Sequence, residues 1–281
     1  MSGAGDYIDR EMAGVPGWFS AIDALLFTGI SEWQHEDGLR GDLLEIGVYK
    51  GKSAILPGHL LGDGERLVLC DLFDEPTPSS ATSDDHSGYE GHALDGFLAT
   101  YRHHHSQPPI VYQCLSNRLR DLESTKAFRM IHVDGSHLYN DVQSDIDLVP
   151  NVLLDGGIVI LDDYRTLHTP GVSGAIWEAV ATRSLRPICL THDKMFASWG
   201  PPRPGTTERV RSIVTAIPWV ELIDDTVSGH DVVVVLPQGY GVDSPALRHG
   251  LARAVLPPVA VDLGRQFRAW CSARRRLGQE R

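Results

Sequence analysis

Four side chains near the middle of the chain are of types that can do chemistry together. Asp134 closes an apolar run, Arg129–Val133, and Asp162 and Asp163 close a second, Ile158–Leu161. His137 follows Asp134 by three residues, in Asp-Gly-Ser-His. If the two runs are neighbouring parallel strands, their ends lie on one edge of a sheet. Three carboxylates converging there repel one another unless a cation holds them. Oxygen donors without cysteine favour Mg²⁺ or a similar hard ion (Mn²⁺), which keeps positions open for a substrate hydroxyl. A histidine beside such a site can take the hydroxyl's proton. Alone, His137 reads as a capping or solvent histidine, and Asp162-Asp163 as an N-cap pair. Together they read as a site. Tyr164 and His168, on the loop that follows, are expected to line the acceptor side. Asp141, Asp145 and Asp147 read as the solvated face of a helix.

A second constellation lies upstream, in Leu43–Ser53 (LLEIGVYKGKS). Its apolar start suits a buried strand, and its glycines suit a tight turn into a helix. Glu45-x-Gly47-x-x-x-Gly51 is not the Gly-x-Gly-x-x-Gly pattern that seats a pyrophosphate on a helix N-terminus. A carboxylate beside the turn suits an amino-acid or sulfonium cofactor better. Ser53 offers a hydroxyl at the helix start. Asp71, ending the next apolar run Arg66–Leu72, stands where an acid takes both ribose hydroxyls.

Positioning these residues requires an alternating chain, and the sequence supplies one. An amphipathic helix is expected over Trp18–Trp33, on the spacing of Trp18, Ile22, Leu25, Leu26 and Ile30. Helices are expected over Lys52–Leu61 (with Pro57 and Gly58 shortening or kinking it), Ala93–His105, Tyr139–Leu153 and Gly174–Ser184. Asp155-Gly156-Gly157 should close the fourth. Strands are expected at Leu43–Gly47, Arg66–Leu72, Ile110–Leu115, Arg129–Val133 and Ile158–Leu161. Five strand–helix alternations imply a doubly wound, mostly parallel α/β sheet. Later, Arg186–Thr191 and Lys194–Trp199 suit a hairpin, Thr207–Ile217 a helix and Val232–Leu236 a strand. Which of these strands close the sheet is open. His103–His105 reads as a solvated helix end.

The resulting organisation is an N-terminal helical segment (1–40), a central domain (41–240) and an arginine-rich helical extension (241–281). The segment 73–92, polar and aperiodic, reads as a substrate lid or a mobile insertion. Terminal helices offer surfaces for a homo-oligomer.

Composition narrows the partners. The 281 residues carry 37 acidic and 25 basic side chains, a net charge of −12. So acidic a chain is a poor nucleic-acid binder. Four cysteines without a Cys-x-x-Cys pair read as small core residues in a reducing compartment. No run reaches a membrane span, and the N-terminus lacks the pattern of a signal peptide, so a cytoplasmic protein is expected.

The segments EIGVYKGKS, CDLF, IHVDGSHLYNDVQSDI and LLDGGIVILDDY together resemble class I S-adenosylmethionine-dependent methyltransferases. Within that class they are similar to the Mg²⁺-dependent branch that includes catechol-type and macrolide-sugar (TylF/MycE-like) O-methyltransferases. The resemblance covers roughly 18–199. It implies that Glu45, Gly47, Gly51, Ser53 and Asp71 bind S-adenosylmethionine, with Ser116 near the adenine. Asp134, Asp162 and Asp163 match the family's metal ligands. His137 matches the general base of the sugar-modifying members, where catechol-type enzymes carry lysine. Some sugar enzymes have Glu-Asp where this chain has Asp162-Asp163.

The implied activity is methyl transfer to a small-molecule hydroxyl, with a sugar or glycoside favoured by the histidine and the long polar loop. A catechol or other natural-product hydroxyl is the alternative. Three competitors stand in other classes. A hydroxylase-like metalloenzyme would need a second well-placed histidine. An inert cofactor-binding module has little use for the acids and His137. A dehydrogenase lacks its glycine fingerprint.

Overall fold

The computed structural model describes residues 3–75, 93–123 and 125–238. Nine strands among them form one sheet. They are β1 (Asp42–Ile46), β2 (Leu67–Asp71), β3 (Ile110–Gln113), β4 (Phe128–Val133), β5 (Leu153–Leu161), β6 (Leu185–Leu190), β7 (Met195–Trp199), β8 (Val220–Val227) and β9 (His230–Pro237). Their order is β3-β2-β1-β4-β5-β7-β6-β9-β8. Strands β1 to β5 pair in parallel, and β7 inserts antiparallel between β5 and β6. The doubly wound, mostly parallel sheet is therefore present. It is closed by the expected hairpin and extended by β9, parallel to β6, and by β8, which sequence reading did not find. β8 is mostly exposed, so it lacks the apolar alternation that marks a strand.

Six helices matter for the site and its support: α1 (Ala21–Glu36), α2 (Ile55–His59), α3 (Leu94–His104), α4 (Tyr139–Val152), α5 (Pro170–Thr182) and α6 (Thr206–Thr215). Strand alternation sends Leu43, Met130, Ile158 and Ile160 to one face, under α1, α2, α3 and α6. Leu44, Ile46, Ile131, Val133, Val159 and Leu161 go to the other, under α4 and α5. Among the described residues no helix is long and apolar enough to cross a membrane.

Several local expectations change for identifiable reasons. α1 begins after Ser20 rather than at Trp18, because the Ser20 hydroxyl caps it, accepting from Asp23 N at 3.1 Å. Trp18 is left 51% exposed. Pro57 and Gly58 leave α2 a single short helix. Asp155-Gly156-Gly157 does not close α4: it lies inside β5, where Gly156 (φ 84°) absorbs a register shift against β4. The histidine run is only partly a solvated end: His103 is exposed, but His104 pairs with Glu11 at 2.8 Å, and the His105 ring bonds Ile55 O at 2.8 Å and meets the His59 ring at a tilt, 4.1 Å between centroids. Burial pushes His59 down to about 4.

One buried ion pair ties α1 to the sheet. The fully buried Arg129 of β4 donates to both Glu65 oxygens (2.9 and 2.8 Å), to Ser31 and Gln34 of α1, and to Leu60 O. Burial favours a neutral Glu65, but Arg129 and the amides of Gly41 and Gly62 outweigh it and hold the carboxyl down at about 2. The candidate lid beyond residue 75 and the C-terminal extension lie outside the described residues, as does Cys271. Cys70, Cys114 and Cys189 are free thiols.

Candidate active site

The carboxyl ends of β1, β2, β4 and β5 meet at one edge of the sheet, and the predicted residues gather there. After β1 the chain turns through Gly47 (φ 85°), Tyr49 (φ 49°) and Gly51 (φ 87°). A β-carbon on Gly47 would stand 1.9 Å from Asp134 O, so the turn lies directly on the end of β4. One on Gly51 would meet the Phe97 ring of α3 at 2.6 Å. Asp71 secures the turn: its Oδ2 accepts from Val48 N (2.6 Å) and Tyr49 N (3.1 Å), and its Oδ1 from Phe73 N (2.7 Å). Glu45 and Ser53 lie beneath it. Both are buried, and the Ser53 hydroxyl donates to Glu45 Oε1. Ser116, after β3, faces Asp145 of α4.

Asp145 is not on a solvated face. It is 1% exposed, and neither oxygen makes a well-formed hydrogen bond among the described residues. Burial pushes it up to about 7. The helical period places it on the same side as Val142, Ile146 and Val149, which are buried.

Asp134 and Asp162 converge as expected. Burial, then the neighbouring Asp162 charge, pushes Asp134 well above the carboxylate range. Burial alone would also raise Asp162, but the Lys194 ammonium, His132 and the Asp134 carboxyl hold it low. The Lys194 Nζ pairs directly with Asp162 Oδ2. This lysine is 1% exposed, and its charge persists because Asp162, Asp134 and Asp23 outweigh its desolvation. Asp23, on α1, accepts from the Thr191 hydroxyl at 2.7 Å and so links the N-terminal helix to the site.

Asp163 takes a left-handed conformation (φ 57°) that turns it away from this pair. Its Oδ1 accepts from Thr166 at 2.7 Å, and its Oδ2 lies 3.4 Å from His137 Nε2. Burial, then Asp162, raises its pKa. The His137 ring is partly exposed and meets the His168 ring edge-on at 6.3 Å. His168 is exposed. Tyr164 goes instead to the core: it is 4% exposed and donates to Thr191 O at 3.1 Å. The predicted metal set thus divides into an Asp134–Asp162 pair and an Asp163–His137 pair.

Sequence reading missed His132, Lys194 and Asp23. His132 had a signal, since it is the one imidazole inside the apolar run RMIHV. Lys194 stands just before the apolar MFASW, but nothing local marks it as buried or paired. Asp23 carries only a helix-cap signature, and its reach to β6 is tertiary.

Residues 44–164 match a family model described as a methyltransferase domain. That span runs from β1 to Tyr164 and takes in the glycine turn, Asp71, Asp134, His137, Asp162 and Asp163. No curated protein sequence matches the chain. Among solved structures, the O-methyltransferase NovP is similar over 65% of this chain and 79% of its own, at 18% identity and a TM-score of 0.50. The calicheamicin methyltransferase CalS11 is similar over 64% and 80%, at 18% identity and a TM-score of 0.49. The MycE methyltransferase of the mycinamycin biosynthetic pathway, in complex with Mg, SAH and mycinamycin VI, is similar over 67% of this chain and 52% of its own, at 16% identity and a TM-score of 0.42. At such identities the likeness is one of fold. The methyltransferase-domain match thus spans the glycine turn and the acids, on a doubly wound, mostly parallel sheet of the kind these structures share.

Proposed function

We propose that the chain methylates a hydroxyl oxygen of a sugar or glycoside, with a divalent cation (Mg²⁺ or Mn²⁺) bound at the acid pair. The observation that carries this reading is the meeting of Asp134, Asp162, Asp163 and His137 at one edge, against Gly47 of the cofactor turn. Acids that borrow an ammonium to coexist suit a stronger cation. NovP, the neighbour at a TM-score of 0.50, is an O-methyltransferase, which agrees with an oxygen acceptor.

S-adenosylmethionine, when bound, supplies a methyl group on a sulfonium, and the cation, when bound, lowers the pKa of the acceptor hydroxyl. The chain does the rest. The Gly47–Gly51 turn and Asp71 hold the cofactor, with Ser116 on its adenine side and Glu45 and Ser53 supporting the turn from below. Asp134 and Asp162 would supply oxygen ligands, and Asp163 faces His137. His137 accepts the hydroxyl proton, and the imidazolium so formed presents its Nε2–H to Asp163. His168, and Leu167 at 98% exposure, offer one polar and one apolar contact to the acceptor. Holding oxygen and methyl in line supplies much of the acceleration.

Lys194 favours a second reading, in which its ammonium alone balances the acids and transfer needs no metal. One experiment separates the two and identifies the acceptor class: a methyl-transfer screen over glycosides, deoxysugars and catechols, with Mg²⁺, with Mn²⁺ and with EDTA. Metal-dependent methylation of a glycoside is the expected result. Turnover undiminished by EDTA sinks the metal, and turnover of catechols alone sinks the sugar.

A further inference from the structure

The strand face that carries Glu45 also carries His132. This imidazole is 1% exposed, and neither ring nitrogen makes a hydrogen bond among the described residues. Leaving a buried polar group unsatisfied costs about 1–3 kcal/mol, so the ring's surroundings need an explanation. Its Nδ1 lies 3.2 Å from Glu45 Oε1, out of hydrogen-bond alignment, and the second Glu45 oxygen has no partner either. Its Nε2 faces the acid pair, 4.0 Å from Asp162 Oδ2. Phe27 of α1 packs edge-on against the ring at 5.3 Å and fixes its plane. One ligand atom from each of His132, Asp134 and Asp162 falls within 4.8 Å of the others. Three donors about 2.1 Å from one ion stand about 3.0–3.6 Å apart, so the set closes by on the order of an ångström when an ion binds.

We propose that His132 Nε2 completes, with Asp134 and Asp162, a three-donor site for a divalent cation, and that the imidazole shifts the site's preference from Mg²⁺ toward Mn²⁺, Co²⁺ and Zn²⁺. The inference rests on the metal reading above and deepens it. Nitrogen donors suit the borderline transition ions, whereas Mg²⁺ prefers oxygen. Glu45 supplies the outer carboxylate that fixes a ligating histidine through its other nitrogen. Loading the ion would move the Lys194 ammonium off Asp162 Oδ2 toward Asp23, the one of its three facing acids outside the proposed ligand set.

The test is Mn²⁺ titration of the full chain followed by electron paramagnetic resonance, with electron-spin-echo detection of ¹⁴N coupling. Bound Mn²⁺ should show ¹⁴N modulation in the wild type and in His137→Ala, and lose it in His132→Gln. Zn²⁺ or Co²⁺ should displace Mn²⁺ at concentrations at least about tenfold below those of Mg²⁺. The wild-type spectrum stands on its own should His132→Gln fail to fold. Bound Mn²⁺ without ¹⁴N modulation, or with modulation that survives His132→Gln, overturns this inference and leaves the metal reading intact. Absence of bound Mn²⁺ overturns both.

Discussion

Gly47 and Asp134 are in backbone contact: the turn proposed to hold the cofactor rests on the residue that opens the acid cluster. A methyl group added to Gly47 would enter the carbonyl of Asp134, and the left-handed φ of 85° already disfavours a side chain. Gly47→Ala should therefore lower stability by about 1–3 kcal/mol and weaken S-adenosylhomocysteine binding together. Calorimetry and thermal melts with and without the ligand check both. A variant that melts and binds as the wild type does would show that the contact is slack.

His137 should behave differently from Gly47, since its imidazole faces Asp163 and His168. His137→Gln should cut turnover about 10²–10⁴-fold while leaving S-adenosylhomocysteine affinity unchanged. Asp163→Asn should reproduce part of that loss, because it leaves the imidazolium facing a neutral amide. Full turnover in His137→Gln would remove the base from the mechanism.

The Arg129–Glu65 pair makes a stability prediction far from the chemistry. Glu65→Gln leaves a fully buried guanidinium without its counter-charge and should cost about 3–5 kcal/mol at neutral pH. The folded carboxyl sits at about 2, below its unfolded value. Its contribution is therefore complete above about pH 4.5 and fades as pH falls toward 2. Chemical denaturation across that range should bring wild type and variant together at the acid end.

Asp145 gives the opposite sign. Its folded pKa of about 7 exceeds that of an unfolded aspartate, so it loses stability for the fold as pH rises from about 4 to 7. Asp145→Asn removes that penalty with little change of shape. It should be neutral at pH 4 and stabilise by on the order of 2 kcal/mol at pH 8. Urea titrations at the two pH values decide it, and a variant that is less stable at pH 8 would mean that the carboxylate is used.

Much of this architecture could be read from residue order. Apolar runs ending in Asp71, Asp134 and Asp162 announced parallel strands, and the glycines between them announced turns. Local periodicity carried that information. It carried less where partners come from afar. Asp145 looked solvated because its carboxyl type outweighed its helical position. The His103–His105 run looked exposed because its partners, Glu11, His59 and Ile55 O, are distant in sequence. Lys194 was invisible as part of the site because only tertiary folding brings it to Asp162, 32 residues upstream. The division of Asp163 from the other acids depends on one left-handed φ, which no sequence pattern indicated.

Glu45 stands opposite His132 in the β1–β4 register. Side chains alternate along a strand, so this pairing also works as a reading frame. Losing Val133 with the strand's carboxyl end held in register would present Ile131 where His132 now stands and turn the imidazole to the α4 side of the sheet. The number of residues in β4 is thus as much a part of the chemistry as their identity, and a change of length there would silence the site even with every polar residue still in the chain.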